Sequence, residues 1–117
     1  MNPIISATLA GAYFLCGNVL PVRATQTTML TSWYGPGFHG NLTANGEVYD
    51  QMGLTAAHKT LPFGTRLRVC YDRCVNVRIN DRGPYIGARE LDLSKGAAQA
   101  IGLIHPGVAD VDVTFLN

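Results

Sequence analysis

The sequence predicts an all-β protein that folds as a small closed barrel with a single short helix. Three observations support this fold class. Several segments alternate apolar and polar residues with the period of a half-buried strand, one short segment is helical in character, and the chain has 117 residues. A chain of this length makes one small domain, and short strands of this kind close readily into a barrel.

The first segment, residues 1–24, is predicted to be a secretory signal peptide that precedes the barrel domain of residues 25–117. An apolar run comes before Val22 and Ala24, which suit the small-residue positions of a signal-peptidase site that cuts after Ala24. The run has no Lys or Arg before it, so an uncleaved membrane anchor is an alternative. Lipidation at Cys16 is another, although large residues precede that cysteine. We expect an exported protein, periplasmic or secreted.

The predicted domain has balanced charge. Removal of the leader takes away one of the nine Lys and Arg residues, which leaves eight cations against eight Asp and Glu residues. The cations are scattered and form no basic stripe. A nucleic-acid partner is therefore not expected.

The N-terminal half of the domain predicts one strand, a long loop and a short apolar segment. Met29 to Pro36 alternates and ends in a Gly-Pro turn. Residues 37–53 are rich in Gly and Asn, and a loop of that length in a small domain is usually functional or disordered. Leu54 to Thr65 is a short apolar segment that contains a Pro-Phe-Gly turn.

A hairpin is predicted next, because two alternating segments, residues 66–70 and 75–81, flank a short loop. Cys70 and Cys74 stand at the base of that loop, where facing residues are close enough for a disulfide. A disulfide suits an exported chain. Two free thiols or half of a metal site are alternatives, although the spacing, with no second Cys/His pair nearby, is poor for zinc.

The C-terminal part predicts a helix followed by a strand. The helix covers residues 92–102, with Ser94 as its N-cap and Gly102 just beyond its end. Val108 to Leu116 alternates cleanly and is predicted to complete the sheet.

Acidic and imidazole side chains stand at the edges of these elements. Asp81 lies where a strand opens into a turn, which would expose its carboxylate on a rigid backbone. It could instead cap the turn and pair with Arg82. Asp92 could favour the helix dipole, His58 could be structural, and Glu47 could be a solvated loop residue.

Other kinds of chemistry find no support in the sequence. No H-E-x-x-H and no paired Cys/His motif occurs, so a metal site is not expected, and no cofactor-binding motif occurs either. No G-x-S-x-G occurs, so a nucleophilic triad is not supported. Carboxylate chemistry is the remaining candidate.

Four blocks follow one another from about Ser32 to the C-terminus: SWYGPGFHGNLTANGEVYD, LTAAHKTLPFGT, VRINDRGPY and LDLSKGAAQAIG. Together they resemble the rare lipoprotein A (RlpA) family of septal lytic transglycosylases. The resemblance implies a six-stranded double-psi β-barrel with one or two short helices and a groove for peptidoglycan glycan strands. Similar barrels occur in expansins and barwin-like proteins, which bind or loosen wall polysaccharide.

The resemblance also implies roles for individual residues. Asp81 of the NDRGP motif is the implied general acid and base, and Glu47 of TANGE and His58 of AAHKTLPFG match further active-site positions. Asp92 matches a groove position of expansin-like relatives and could be a second carboxylate. The expected substrate-binding residues are completed by Trp33, Tyr34, Asn80 and Tyr85. Trp33 could instead pack in the core.

The implied reaction is endolytic cleavage between N-acetylmuramic acid and N-acetylglucosamine, preferably in peptide-stripped strands. The C6 hydroxyl of the muramic acid attacks its own C1 and leaves a 1,6-anhydro end. One carboxyl can donate and then accept the proton, and Asp81 is assigned that cycle. Asp81 must hold a proton at rest, which burial or nearby Glu47 or Asp92 would favour, and Arg82 is expected to point away.

The alternative is a non-catalytic expansin-like module that binds or loosens wall polysaccharide. Fold alone does not separate the two functions. The chain ends at Asn117 without the SPOR domain of many family members, so septal targeting is in doubt. We expect a monomer with no stable membrane anchor after signal cleavage.

Overall fold

A computed structural model describes residues 25–117, so the predicted leader and Cys16 lie outside the described residues. The described part is a closed six-stranded barrel with one α-helix and one short 3-10 helix, which confirms the all-β barrel class. The strands and helices are β1 (Gln26–Tyr34), the 3-10 helix (Pro36–Phe38), β2 (Thr55–His58), β3 (Arg66–Cys70), β4 (Cys74–Asp81), β5 (Leu91–Ser94), α1 (Lys95–Ile101) and β6 (Ala109–Phe115).

The strand order around the barrel is β1-β5-β2-β4-β3-β6, and β6 closes the barrel against β1. Two pairs, β1 with β5 and β2 with β4, are parallel, and the other four are antiparallel. Parallel neighbours cannot be joined by a tight hairpin, and in both pairs further elements of the chain lie between the two strands. Two long connections, residues 35–54 between β1 and β2 and residues 82–90 between β4 and β5, contribute to the groove described below.

The barrel interior is filled by alternate side chains of the predicted strands. Leu67 and Val69 of β3 and Val111 and Val113 of β6 are fully buried, while the residues between them are exposed. Full burial of such a side chain stabilises the fold by about 1.5–3 kcal/mol. This alternation is the pattern from which the two strands were predicted.

The helix prediction is right from residue 95 onward and wrong before it. The Ser94 hydroxyl accepts from the Ala97 N–H at 3.2 Å, as an N-cap does. Gly102 ends the helix with a φ of +85°, a left-handed value that favours glycine. Residues 91–94 form a strand instead, because they pair with both β1 and β2. That partnership overrides local helix propensity and is invisible in the segment itself.

Two further strand boundaries differ from the predictions. β1 begins at Gln26 rather than Met29, because residues 26–28 pair with the end of β6. Thr55–His58 is a strand within a segment that the sequence marked only as apolar. Its Ala56 and Ala57 have low strand propensity, and the strand is held by neighbours on both sides.

The β3–β4 hairpin and its disulfide are confirmed. Cys70 and Cys74 are register partners with a Cα–Cα distance of 4.0 Å, and their sulfurs are bonded at 2.02 Å. The hairpin tip also contacts the end of α1. The Arg73 guanidinium donates to the carbonyls of Ala100 and Gln99 at 2.9 and 3.1 Å. The tip therefore binds carbonyls in the last turn of α1, of which the Gln99 carbonyl also accepts from the Gly102 N–H at 3.3 Å.

Within residues 25–117, no helix has the length and apolar character needed to cross a lipid bilayer.

Candidate active site

One groove of about 400 Å³ lies on the outer surface of the barrel, where four strands and the 82–86 turn meet. It brings together five of the predicted site residues: Trp33, Tyr34, Asp81, Tyr85 and Asp92. The remaining lining residues are Phe38, Ala57, Arg82, Gly83, Pro84, Ile86 and Arg89. Glu47, His58 and Asn80 do not line the groove.

Two carboxyl groups face the groove from either side of β2. Asp81 of β4 and Asp92 of β5 are both register partners of Ala57 in β2. Neighbouring strands are about 4.8 Å apart, so the two Cα atoms are separated by about 10 Å. The groove therefore presents two acidic side chains on one face, with a small alanine between them.

A β-bulge aims Asp81 at this face. The register of β2 and β4 shifts between Ala56, which pairs with Ile79, and Ala57, which pairs with Asp81. Asn80 is the additional residue. In a regular strand, residues 79 and 81 would share a face, and Ile79 is fully buried in the barrel interior. The bulge turns Asp81 to the opposite face, where Ala57 and the groove lie.

The two oxygens of Asp81 have different surroundings. Oδ1 accepts from the backbone N–H groups of Ala44 and Arg82, each at 2.9 Å. Oδ2 accepts from the Tyr34 hydroxyl at the longer distance of 3.3 Å. The two backbone donors hold the carboxyl in one orientation. Oδ2, whose partner is a hydroxyl that can rotate, is the oxygen with more capacity left for a bound molecule.

Arg82 follows Asp81 but its side chain points away from that carboxyl, as expected from the sequence. The guanidinium lies over the Phe63 ring at 3.9 Å from the centroid and donates to the His58 carbonyl at 3.3 Å. The turn continues through Gly83, whose φ of +126° is a conformation that other residues rarely adopt.

Asp92 has a more enclosed environment. Burial raises the pKa of its carboxyl, and the negative charge of nearby Asp81 acts in the same direction. A hydrogen bond from the Ser32 hydroxyl at 2.8 Å and the charge of Arg89 oppose the rise in pKa. Asp92 therefore keeps a proton to higher pH than an exposed aspartate would.

Glu47 lies beside the groove and is engaged in a polar network. Its carboxylate pairs with the Arg78 guanidinium at 2.6 Å and accepts from Asn80 Nδ2 at 3.1 Å and Asn45 Nδ2 at 2.9 Å. These bonds, the one from Arg78 first, lower the pKa of Glu47 to about 2. Glu47 is thus a carboxylate under ordinary conditions.

The Glu47 network reaches Asp81 through the chain. The turn over residues 43–47 is closed by a hydrogen bond from the Thr43 N–H to the Glu47 carbonyl at 2.7 Å. The same turn presents the Ala44 N–H to Asp81 Oδ1. By fastening the turn to β4, Glu47 fixes one of the two donors that orient Asp81.

His58 ends β2 and holds the turn that follows. Its Nδ1 accepts from the backbone N–H groups of Thr60 and Leu61, both at 3.1 Å. Burial lowers the pKa of the ring, which favours the neutral form with its proton on Nε2. The backbone carbonyl of His58 accepts a hydrogen bond from the Arg82 guanidinium. His58 therefore shapes the groove wall through Arg82.

The aromatic side chains differ in exposure. Tyr34 stacks on buried Tyr49, with ring centroids 4.6 Å apart, and meets the edge of Phe38 at 5.6 Å. Burial raises the pKa of the Tyr34 hydroxyl, so it stays protonated. Tyr85 is 74% exposed at the rim. Trp33 lines the groove and also packs against the barrel core, so both of its predicted environments occur together.

Sequence reasoning missed several residues that build the site. Tyr49 supports Tyr34 by stacking and donates from its hydroxyl to the Tyr34 carbonyl at 2.9 Å. Ser32, Ala44 and Arg89 contact or neighbour the two aspartates. Tyr49 and Ala44 lie in the long 37–53 loop and in the first of the four sequence blocks, but neither observation singles them out. Ser32 and Asp92 are register partners, a fact that requires the strand pairing.

No cluster of three or more His, Cys, Asp or Glu side chains that could hold a metal ion occurs among residues 25–117.

Comparisons with known proteins agree with this architecture. A family model described as lytic transglycolase matches residues 26–113. The chain is 61% identical over 91 residues to the probable endolytic peptidoglycan transglycosylase RlpA of Synechocystis, covering 75% of this chain and 28% of that protein. It is 58% identical over 91 residues to the endolytic peptidoglycan transglycosylase RlpA of Campylobacter jejuni, covering 75% of this chain and 33% of that one.

Solved structures extend the comparison to the fold. The Streptomyces papain inhibitor superposes with a TM-score of 0.65 at 21% identity, covering 81% of this chain and 97% of the inhibitor. An expansin from Clavibacter michiganensis has a TM-score of 0.65 at 18% identity, covering 80% of this chain and 51% of the expansin. These neighbours have double-psi β-barrels, which confirms that fold. By its sequence match over residues 26–113, the chain belongs to the lytic transglycolase family.

Proposed function

We propose that this domain is an endolytic peptidoglycan lytic transglycosylase. It cleaves the bond between N-acetylmuramic acid and N-acetylglucosamine, preferably in peptide-stripped strands, and leaves 1,6-anhydro ends. The observation that carries the proposal is the bulge that turns Asp81 into an aromatic-lined groove. The relatives titled as transglycosylases support it, although the chain spans only 28% and 33% of the lengths of the first two.

The proposed reaction uses one carboxyl twice. Asp81 Oδ2 donates a proton to the glycosidic oxygen as its bond to C1 of the muramic acid breaks. The C6 hydroxyl of the same sugar forms a bond to C1, and its proton passes to Asp81 Oδ2. The enzyme is regenerated without a water molecule. Because Oδ1 is held by two backbone donors, the carboxyl need not reorient between the two steps.

Other residues of the groove are proposed to bind the strand. Tyr85, Trp33 and Tyr34 present apolar ring faces on which sugar rings stack, and Asp92 bonds sugar hydroxyls or serves as a second carboxyl. Asn80 is predicted to contact the sugar directly, yet it is buried, does not line the groove and is bonded to Glu47. We therefore propose that Asn80, Glu47 and His58 act by positioning Asp81 and the groove wall.

The proposed place of action is outside the cytoplasm, on the cell wall. The Cys70–Cys74 disulfide is consistent with an oxidising compartment. The partner is the glycan strand itself, which a single groove on one domain can bind. We propose that the protein works as a monomer, with no stable membrane anchor once the predicted leader has been cleaved.

The test is a product analysis with intact sacculi and with sacculi stripped of stem peptides by an amidase. Mass spectrometry of the soluble fraction should find glycan fragments with 1,6-anhydro ends. Asp81→Asn should abolish them, while Asp110→Asn, the same change at an exposed position of β6, should not. Equal activity of Asp81→Asn and the unaltered protein would disprove the assigned cycle.

The second candidate function is an expansin-like module that binds wall polysaccharide without cleaving it. One observation favours it: Trp33, Tyr34 and Tyr85 line the groove, and such aromatic faces can hold sugar rings without any transfer of a proton. Under this alternative, the unaltered protein sediments with sacculi and releases no anhydro product. Asp81→Asn would then weaken binding instead of removing a reaction.

A further inference from the structure

We propose that Arg89 binds the free lactyl carboxylate of peptide-stripped N-acetylmuramic acid and that this contact causes the preference for stripped strands. This inference rests on the proposed function, because it concerns how the same groove selects its substrate. It assigns the selection between stripped and peptide-bearing strands to one named side chain.

Arg89 is a groove cation that acts on Asp92 through its charge but forms no ion pair among residues 25–117. Its main chain is fixed, since its N–H donates to the Ile86 carbonyl at 3.3 Å and its carbonyl accepts from Lys59 Nζ at 3.1 Å. Its half-buried side chain lines the groove together with Asp81 and Asp92. Within residues 25–117, the ion pair between Arg78 and Glu47 is the only one, so no carboxylate lies within 4.0 Å of the Arg89 guanidinium.

The other arginine of the groove is already engaged. The Arg82 guanidinium covers the Phe63 ring and donates to the carbonyls of His58 and Asp81. The stacked ring and the two carbonyls hold this guanidinium against the groove wall, so it cannot turn toward a ligand without losing these contacts. Of the two groove cations, Arg89 is therefore the one available to an incoming anion.

A glycan strand of peptidoglycan offers a single kind of anion for such a site. N-acetylglucosamine is neutral, and N-acetylmuramic acid has a lactyl group on O3. That group is a carboxylate when the strand is stripped and an amide when a stem peptide is attached. Because O3 and C1 belong to one sugar ring, a groove that holds C1 at Asp81 also holds the lactyl group.

The negative charge of the groove explains why a charged strand needs a cation there. Asp81 and Asp92 both face the groove, so an additional carboxylate is repelled unless a cation offsets it. A guanidinium suits the task because it binds a carboxylate through two parallel hydrogen bonds. An amide is neutral and has a single acceptor oxygen, so it cannot form this pair with the guanidinium.

The experiment compares stripped glycan strands with the same strands after carbodiimide coupling to methylamine. The coupling removes the lactyl charge without adding the bulk of a peptide. For the unaltered protein, kcat/KM should be about tenfold higher on the charged strands, the effect of one charge-assisted hydrogen-bond pair. Arg89→Gln should bring the two values together by slowing cleavage of the charged strands only. Arg89→Lys should keep part of the difference.

Arg68→Gln is the matched control, because it removes one positive charge from an exposed position of β3 away from the groove. It should leave the tenfold ratio unchanged. If Arg89→Gln lowers cleavage of both strands equally, or leaves the ratio intact, the inference is overturned. A ratio near one for the unaltered protein also overturns it.

Calorimetric binding of the two strand preparations separates this inference from the proposed function. If no strand is cleaved but the unaltered protein binds charged strands about tenfold more tightly and Arg89→Gln does not, the proposed function fails and the inference stands. If strands are cleaved but both preparations bind and react alike, the function stands and the inference fails.

Discussion

Strand β4 connects two regions of different character. At its first residue, Cys74, the chain is fixed by a disulfide, a hairpin ladder and the contact of Arg73 with the end of α1. At its last residue, Asp81, the chain leaves the regular ladder through a bulge and turns a carboxyl toward a groove. The hairpin end of β4 is held by a covalent bond and by backbone contacts. The groove end lies among side chains from segments that are distant in the sequence.

The comparison shows that the residues that stabilise this small barrel and the residues that can bind a ligand lie at opposite ends of one strand. At the hairpin tip, the Arg73 guanidinium is bonded to carbonyls of α1 and the two sulfurs are bonded to each other. At the groove, Asp81 Oδ2 and the Arg89 guanidinium retain capacity for an external partner. Substitutions at the tip should change the free energy of unfolding, and substitutions at the groove should change activity.

The largest effect is expected when the support of Asp81 is removed. Glu47→Ala leaves the turn that presents the Ala44 N–H to Asp81 without the Glu47 side-chain bonds to β4, so that besides this contact only the backbone bond from Asn45 to the Asn80 carbonyl holds it there. A misplacement of the acid by about 1 Å can lower turnover about a hundredfold. The effect should fall on kcat rather than on KM, since the sugar-binding rings are untouched. Steady-state release of anhydro products measures both.

Glu47→Gln serves as the conservative variant, because it can keep hydrogen bonds to Arg78 or Asn80 and should retain part of the activity. Turnover of Glu47→Ala within about twofold of the unaltered protein would show that the network does not position Asp81.

The next effect concerns the disulfide. Replacing both Cys70 and Cys74 by Ser should lower the free energy of unfolding by about 2 kcal/mol, the chain-entropy effect expected for so short a loop. Urea unfolding gives this value, and activity well below the midpoint should be unchanged. A loss of activity in the folded double variant would contradict the separation of the two regions.

A smaller loss of stability is expected at the hairpin tip. Arg73→Met removes two charge-assisted hydrogen bonds to the last carbonyls of α1 but keeps an unbranched chain, and should cost about 1 kcal/mol. Arg68→Met on the neighbouring strand is the control, with little change expected. Equal midpoints for the two variants in urea would mean that the contact adds nothing to stability.

The smallest expected effect is a gain of stability rather than a loss, and it depends on pH. Burial raises the pKa of Asp92 above its ordinary value of 3.8, so the charged form costs stability at neutral pH. Below the ordinary value the group is protonated in both states and the cost disappears. Asp92→Asn, which can still accept from Ser32, should therefore unfold at higher temperature than the unaltered protein at about pH 7.

At about pH 3 the two proteins should unfold alike. The same substitution should weaken sugar binding or activity, so stability and function would move in opposite directions. A stability gain that is equal at both pH values would exclude titration of Asp92 as its source.

The sequence revealed those parts of the fold that depend on local pattern. The hairpin, its disulfide, the alternation of β6 and the caps of α1 each arise within a few neighbouring residues, so periodicity and spacing were sufficient. β5 was assigned to a helix, because its identity depends on β1 and β2 rather than on its own four residues.

The site was predictable as a set of residues but not as an arrangement. Motifs pointed to Asp81 and to the aromatic side chains that line the groove. The bulge at Asn80 depends on how β2 pairs with β4, and the Glu47–Arg78 pair joins residues 31 positions apart. The distinction between groups that face the groove and groups that support it from behind therefore required the tertiary structure.

The position of β6 has a consequence for how the protein is made. This final strand pairs with β1 on one side and β3 on the other, so the first and last strands of the described chain are neighbours. Contacts between such distant segments form slowly, because a long loop must close first. Until residues 109–115 have been synthesised, β1 and β3 each carry an open edge that can pair with another chain. Protection against aggregation thus arrives with the last strand.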